Sequence, residues 1–228
     1  MAPSETLNKL GIIMVDVKIC GISSPADYQA CRAAGARWVG MVYYPGSPRH
    51  LDMTALASLS NQIETLPRAE PQRVLLTVDQ TLSSLNKLIK AARPDFLQLH
   101  GRETVELVTI IKAEFGLPII KMIPVETSID LAACAQWDDV ADWLIFDAKA
   151  AKGTQPGGTG HCFDWNVLSH YQGHTPWMLA GGLTIETVAE AMTISGAGAV
   201  DVSSGVEYQS GKKDEKKIHD FIQAAQIG

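Results

Sequence analysis

The sequence predicts an α/β fold: a single (β/α)8 TIM barrel, a closed parallel sheet with outer helices. Three observations predict it. Short β-rich runs alternate with amphipathic stretches, the pattern of a parallel sheet. Eight such runs occur in the 228 residues, an ordinary length for one barrel. Polar residues recur where the runs end, and barrels of this kind carry their active sites at the C-terminal ends of the strands. A doubly wound open sheet is the architectural alternative. No linker or low-complexity block divides the chain, so the expected organisation is a tail over 1–14 and one barrel domain over 15–228.

The runs, in order, are "VDVKIC" (15–20), "RWVGMVYY" (37–44), "RVLLTV" (73–78), "DFLQLH" (95–100), "PIIKMI" (118–123), "DWLIFD" (142–147), "PWMLA" (176–180) and "GAVDV" (198–202). Each is short, apolar and rich in β-branched or aromatic residues. The stretches between them have apolar residues three and four apart, as helices that pack on a sheet require. They are "SPADYQACRAAG" (24–35), "DMTALASLSNQIETL" (52–66), "TLSSLNKLIKAA" (81–92), "ETVELVTIIKAEFG" (103–116) and "TIETVAEAMTISG" (184–196). Several open on Ser, Thr or Asp and several close on Gly, as helix caps do. Thr184 is the expected cap of the last one.

Side chains alternate across a strand. Val15, Val17 and Ile19 therefore share the helix-facing side of the first run, and Asp16, Lys18 and Cys20 share the barrel interior. By the same alternation Gln98 and His100 share a face, as do Trp143, Ile145 and Asp147, and as do Asp201 and Ser203. Polar groups buried without a partner are expensive. Their recurrence at strand ends predicts a polar pocket at the C-terminal mouth. Taken singly, each has a plain structural reading: a small core cysteine, a turn-forming aspartate, a satisfied histidine.

Bulk properties narrow the function. Hydrophobic residues make up 46% of the chain and charged residues 19%, the balance of a soluble globular protein. The net charge of -6 argues against a nucleic-acid or membrane partner. The four cysteines form no C-x-x-C pair, which predicts free thiols in a reducing cytoplasm. Residues 1–14 have neither the charge pattern nor the apolar length of a signal peptide or membrane span.

Glycine turns point to an anion. "AGGL" places Gly181 and Gly182 after the seventh run, and "DVSSGVE" places Ser203, Ser204 and Gly205 after the eighth. Loops after strands seven and eight hold phosphate in many barrels, and a short helix opening at Ser203 would aim its N–H groups at one. A third cluster, "KGTQPGGTGHCFDW", contains Gly158 and forms a long loop beside Asp147, as a lid would. Arg49 follows Pro48 in the loop after the second run. There it has the reach and the fork geometry to hold a carboxylate.

Seven motifs in this order resemble the phosphoribosylanthranilate isomerase family: "VKICGI", "SPRH", "LQLHG", "FDAK", "GGTGxxFDW", "AGGL" and "VDVSSGVE". The resemblance runs essentially from Val15 to Gly228. It implies a (β/α)8 barrel of tryptophan biosynthesis, monomeric or homodimeric, without cofactor or metal. The implied reaction is the Amadori rearrangement of N-(5-phosphoribosyl)anthranilate to 1-(2-carboxyphenylamino)-1-deoxyribulose 5-phosphate. It also implies that Cys20 is the general base, Asp147 the general acid and Arg49 the holder of the anthranilate carboxylate. Around these, Gln98, His100, Gly158, Gly181, Gly182, Asp201, Ser203 and Ser204 are the expected substrate-binding positions. His161-Cys162 departs from the family's usual Lys-Thr, and Arg102 departs from an acidic residue.

The chemistry asks opposite things of the two central groups. A free thiol titrates near ~8.5 and must lose its proton; a free aspartate titrates near ~3.9 and must keep one. Lys18, on the same face as Cys20, is the expected aid to the thiolate. The apolar run before Asp147 is the expected source of its desolvation. Two rivals are weaker. A histidine-pathway sugar-phosphate isomerase resembles this chain but looks for aspartates at the ends of strands one and five, where Cys20 stands and no acid stands. A non-catalytic phosphate-sugar-binding barrel would have no need of Cys20 and Asp147.

Overall fold

Every one of the eight runs is a strand, and the strands close into a ring. The computed structural model describes residues 15–66, 71–148 and 164–227. In chain order the barrel strands are β1 (Asp16–Cys20), β2 (Trp38–Tyr43), β3 (Gln72–Thr77), β4 (Phe96–Leu99), β5 (Ile119–Val125), β6 (Trp143–Ala148), β7 (Trp177–Ala180) and β8 (Ala199–Val202). Each pairs in parallel with the next, and β8 pairs with β1, with Lys18 opposite Asp201. That last pairing rules out the open sheet.

Outside the ring lie α1 (Pro25–Ala34), α2 (Met53–Glu64), α3 (Leu82–Ala92), α4 (Val105–Phe115), α5 (Ser128–Ala132), α6 (Val188–Ser195) and α7 (Glu215–Ala225). Capping follows the sequence for α1 to α3, where Ser24, Asp52 and Thr81 each accept a backbone N–H at the helix start, and in α4 the cap is Thr104, one residue after the Glu103 that opens its stretch. The expectation at Thr184 fails. Thr184 donates its backbone N–H to the Thr187 hydroxyl, at 3.0 Å, and α6 starts only at Val188. A hydroxyl-closed turn competes with the first helical turn and delays it.

Two layers of apolar side chains follow from the strand alternation. Val17, Ile19, Val39, Met41, Leu75, Leu97, Leu144, Phe146, Leu179 and Val200 face the helices in the main core. Trp38, Val74, Ile120, Trp143, Ile145, Met178 and Ala199 face inward in a separate cluster, with Phe96 packed on it. Trp38 meets Trp143 edge to face at 5.0 Å, and Arg37 lies over Trp38 at 4.4 Å. The barrel interior is thus filled from below by this cluster.

Five features have no counterpart in the sequence reading. α5 and the 3₁₀ turns Ala133–Trp137 and Trp165–His170 are too short to show a period. A small antiparallel hairpin follows β8: β9 (Glu207–Gln209) and β10 (Lys212–Lys213), turning at Gly211 with φ +76. α7 did carry a signal, since Ile218, Phe221, Ile222 and Ala225 are its buried face.

Candidate active site

A cavity of about 530 Å³ opens at the C-terminal end of the barrel. Among the sequence-predicted residues, Cys20, Arg49, His100, Asp147, Gly181, Gly182, Asp201, Ser203 and Ser204 all line it. They come from loops and strands separated by most of the chain, and the ring closure assembles them.

Cys20 is the last residue of β1, inward-facing and buried. Its neighbour on β2 is Gly40, paired with it in register. A Cβ on Gly40 would lie 2.9 Å from the Cys20 Sγ and 3.3 Å from the Lys18 Nζ. Glycine there makes the room that the thiol and the ammonium occupy. Lys18 is fully buried and donates to the Asp201 Oδ1 at 2.9 Å. Burial alone would discharge Lys18. The attraction of Asp201 and of the Cys20 thiolate outweighs it, so the ammonium is held above its ordinary range.

The thiol does not follow the expectation. Burial pushes Cys20 above its ordinary range, and Asp201 adds to the rise. Lys18 pulls the other way by charge and hydrogen bonding, as the sequence suggested, with help from Lys213. Desolvation of a buried thiolate is the larger effect. Cys31, also buried, is driven up as well, to about 12, chiefly by its loss of solvent.

Asp147 stands near the end of β6, half-buried, two residues above the fully buried Ile145. It pairs in register with Pro124 on one side and Ala180 on the other. His100 follows β4. Gln98 lies two residues below it, fully buried, with its Nε2 3.1 Å from the His100 Nδ1. Gln98 is not among the cavity-lining residues. It is linked to the site by its contact with His100.

The two glycine turns meet. Gly181 and Gly182 have φ +100 and +70, conformations that favour glycine. A Cβ on Gly205 would fall 2.2 Å from the Leu183 carbonyl oxygen, so only glycine lets the second turn lie against the first. The helical opening after β8 is a single 3₁₀ turn, Ser204–Val206. The third cluster, with Gly158, His161 and Cys162, lies outside the described residues.

Arg49 is not alone. It donates from Nε and Nη2 to the two carboxylate oxygens of Glu207, at 2.7 and 2.8 Å. Glu207 also accepts from Lys213, at 2.8 Å. Neither Glu207 nor Lys213 was singled out from sequence. Glu207 ends the "DVSSGVE" motif, which was the available signal.

Below the β4 loop lies a second buried pair. Lys121 donates to Glu103 at 2.7 Å and to the carbonyls of Leu99 and Gly101 at 3.2 and 2.8 Å. Glu103 in turn accepts the backbone N–H of Gly101 and of Asp79. The pair ties down the loop that carries His100.

Among the described residues, no group of three or more His, Cys, Asp or Glu side chains is arranged to hold a metal ion. Cys20, Cys31 and Cys134 are free thiols. No described helix is long and apolar enough to cross a membrane.

Comparison with known proteins agrees over nearly the whole barrel. Residues 17–224 match the family model "N-(5'phosphoribosyl)anthranilate (PRA) isomerase". An N-(5'-phosphoribosyl)anthranilate isomerase of Bradyrhizobium sp. (strain ORS 278) is 46% identical, covering 92% of this chain and 94% of its own. That of Nitrobacter hamburgensis is 48% identical, covering 92% of each. The crystal structure of phosphoribosyl anthranilate isomerase from Thermotoga maritima superposes with a TM-score of 0.80 at 33% identity, over 94% of this chain and all of that one. A further such structure, solved in complex with reduced 1-(o-carboxyphenylamino)-1-deoxyribulose 5-phosphate, has a TM-score of 0.79 at 30% identity, with the same coverage. The chain belongs to the N-(5'-phosphoribosyl)anthranilate isomerase family.

Proposed function

We propose that the chain carries out its family's isomerisation with Cys20 as general base and Asp147 as general acid. The substrate is a small phosphorylated aminosugar in closed-ring form. Protonated Asp147 gives its proton to the ring oxygen. The ring opens as the nitrogen lone pair forms the Schiff base. The Cys20 thiolate removes the proton from C2, and the enolamine tautomerises to the ketone. Every step moves protons along one sugar, so two side chains facing one cavity suffice.

The single observation that carries this reading is Cys20 and Asp147 lining the same cavity from β1 and β6. Lys18 supports the assignment of Cys20, since a buried cation stabilises the anion the base must become. Arg49 is read as the partner of the anthranilate carboxylate. The turns at Gly181–Gly182 and Ser203–Ser204 are read as the phosphate cradle, with Gly158 joining them from the long loop. His100 is read as a sugar contact, steadied by Gln98. The free thiols fit a reducing compartment, the cytoplasm.

The test is turnover of phosphoribosylanthranilate formed in situ, followed as loss of anthranilate fluorescence. Cys20→Ala and Asp147→Asn should each lower kcat by roughly 10²- to 10⁴-fold. Near wild-type turnover in either variant removes that residue from its role.

A further inference from the structure

Arg49 lines the cavity, and part of its guanidinium is already engaged by another residue. Five N–H groups are available to an arginine, arranged as a side edge (Nε and Nη2) and an end (Nη1 and Nη2). Glu207 takes the side edge with both oxygens. Three N–H groups remain, and the pair on the end is the one matched to a second carboxylate.

Glu207 is itself built in. Its side chain is 4% exposed. Lys213, 1% exposed, holds its Oε1, and the Gly211 backbone N–H donates to its Oε2 at 3.1 Å. The β9–β10 turn presses on the Arg49 loop, because a Cβ on Gly211 would come within 2.6 Å of the Pro48 carbonyl oxygen. On the other side, a Cβ on Gly21 would lie 2.4 Å from the Arg49 Cδ, so the arginine stem runs across bare backbone. Two cations and one anion leave the cluster a net +1, still suited to an anionic ligand. Lys213 continues to the Ser203 carbonyl at 3.0 Å, and Ser203 donates to the Cys20 carbonyl at 2.9 Å.

We propose that Glu207 is a positioning residue: by holding the Nε–Nη2 edge of Arg49, it fixes the guanidinium so that the end meets the aromatic carboxylate of the substrate. This rests on reading Arg49 as the carboxylate's partner. A free arginine would have to give up rotamer freedom each time a substrate arrived; here the fork is set beforehand. The hairpin after β8, not visible as an element in the sequence, is the part that delivers Glu207.

Two ligands test this. One is the reduced product analogue, 1-(2-carboxyphenylamino)-1-deoxyribulose 5-phosphate with its ketone reduced; the other is the same molecule made with aniline, lacking the carboxylate. Titration calorimetry gives the ratio of their Kd values, and any general damage to the site cancels in that ratio. The wild type should prefer the carboxylated ligand. In Glu207→Gln the preference should shrink by about 10- to 100-fold. The double variant Glu207→Gln, Lys213→Met keeps the cluster's net charge and leaves no buried lysine unpaired, and should shrink it alike. A ratio within about twofold of wild type in both variants overturns the proposal. Arg49→Ala separates the two readings: if it abolishes the preference and the Glu207 variants do not, only the positioning role falls. If Arg49→Ala keeps the preference, or the wild type has none, the Arg49 assignment falls and the positioning role with it.

Discussion

Two lysines on the barrel strands are almost completely buried, and each faces a carboxylate at short range. Lys121 lies on β5 and meets Glu103 at 2.7 Å; Lys18 lies on β1 and meets Asp201 at 2.9 Å. The surroundings differ. Lys121 points outward from the barrel and spreads its ammonium over Glu103 and two backbone carbonyls. Glu103 is 1% exposed. That network is closed and its product is a fixed loop. Lys18 points inward, beside the Cys20 thiol, and its carboxylate lines the cavity. The same ion pair serves as a strut in one place and as the electrostatic setting of a reactive group in the other. Strand parity decides which: an odd or even step along the strand sends a side chain to the helices or to the cavity.

The comparison breaks first at Lys121. Lys121→Met strands Glu103 as an unpaired buried carboxylate, and unfolding stability in urea should fall by about 3–5 kcal/mol. Adding Glu103→Leu should recover much of that. A loss below about 1 kcal/mol in the single variant means that the strut is not structural. Lys18→Met sharpens the other half. Removing the cation takes away the main force that lowers the Cys20 thiol, so its titration moves further up and less thiolate exists at neutral pH, about tenfold less for each unit. The pH midpoint for alkylation of Cys20, read by peptide mass spectrometry, should shift upward, and kcat should fall with it. An unchanged or lower midpoint removes Lys18 from the base's environment. The smallest effect belongs to Gly40→Ala. The backbone at Gly40 tolerates alanine, but the new methyl crowds both the thiol and the ammonium. A several-fold drop in kcat with a modest stability loss is expected, on the order of 1–3 kcal/mol. Unaltered kcat would show that the thiol can shift without consequence.

Much of this is legible in the sequence. The alternation in "VDVKIC" already sends Lys18 and Cys20 inward, and "DWLIFD" sends Asp147 to the same face as Ile145. Both predictions hold because they use only neighbouring residues. Where the reading stopped is equally physical. Gln98 shares the parity of His100, but parity does not report depth, and two residues lower on the strand is below the cavity floor. The net direction of the Cys20 shift needed the balance between burial and Lys18, and a sequence displays the cation but not the burial. Glu207 closes a recognisable motif, yet its purpose depends on Arg49, 158 positions away.

The sequence by itself determined the strands, their inward and outward faces and the residues at their ends, because the backbone period of two is local. Only the tertiary structure decided which of those ends meet. Closing β8 onto β1 sets Asp201 beside Lys18, and folding the β9–β10 hairpin back sets Glu207 under Arg49. A buried charge is tolerated only beside its opposite, and for Lys18 and Arg49 that neighbour comes from a distant part of the chain that the ring closure brings back.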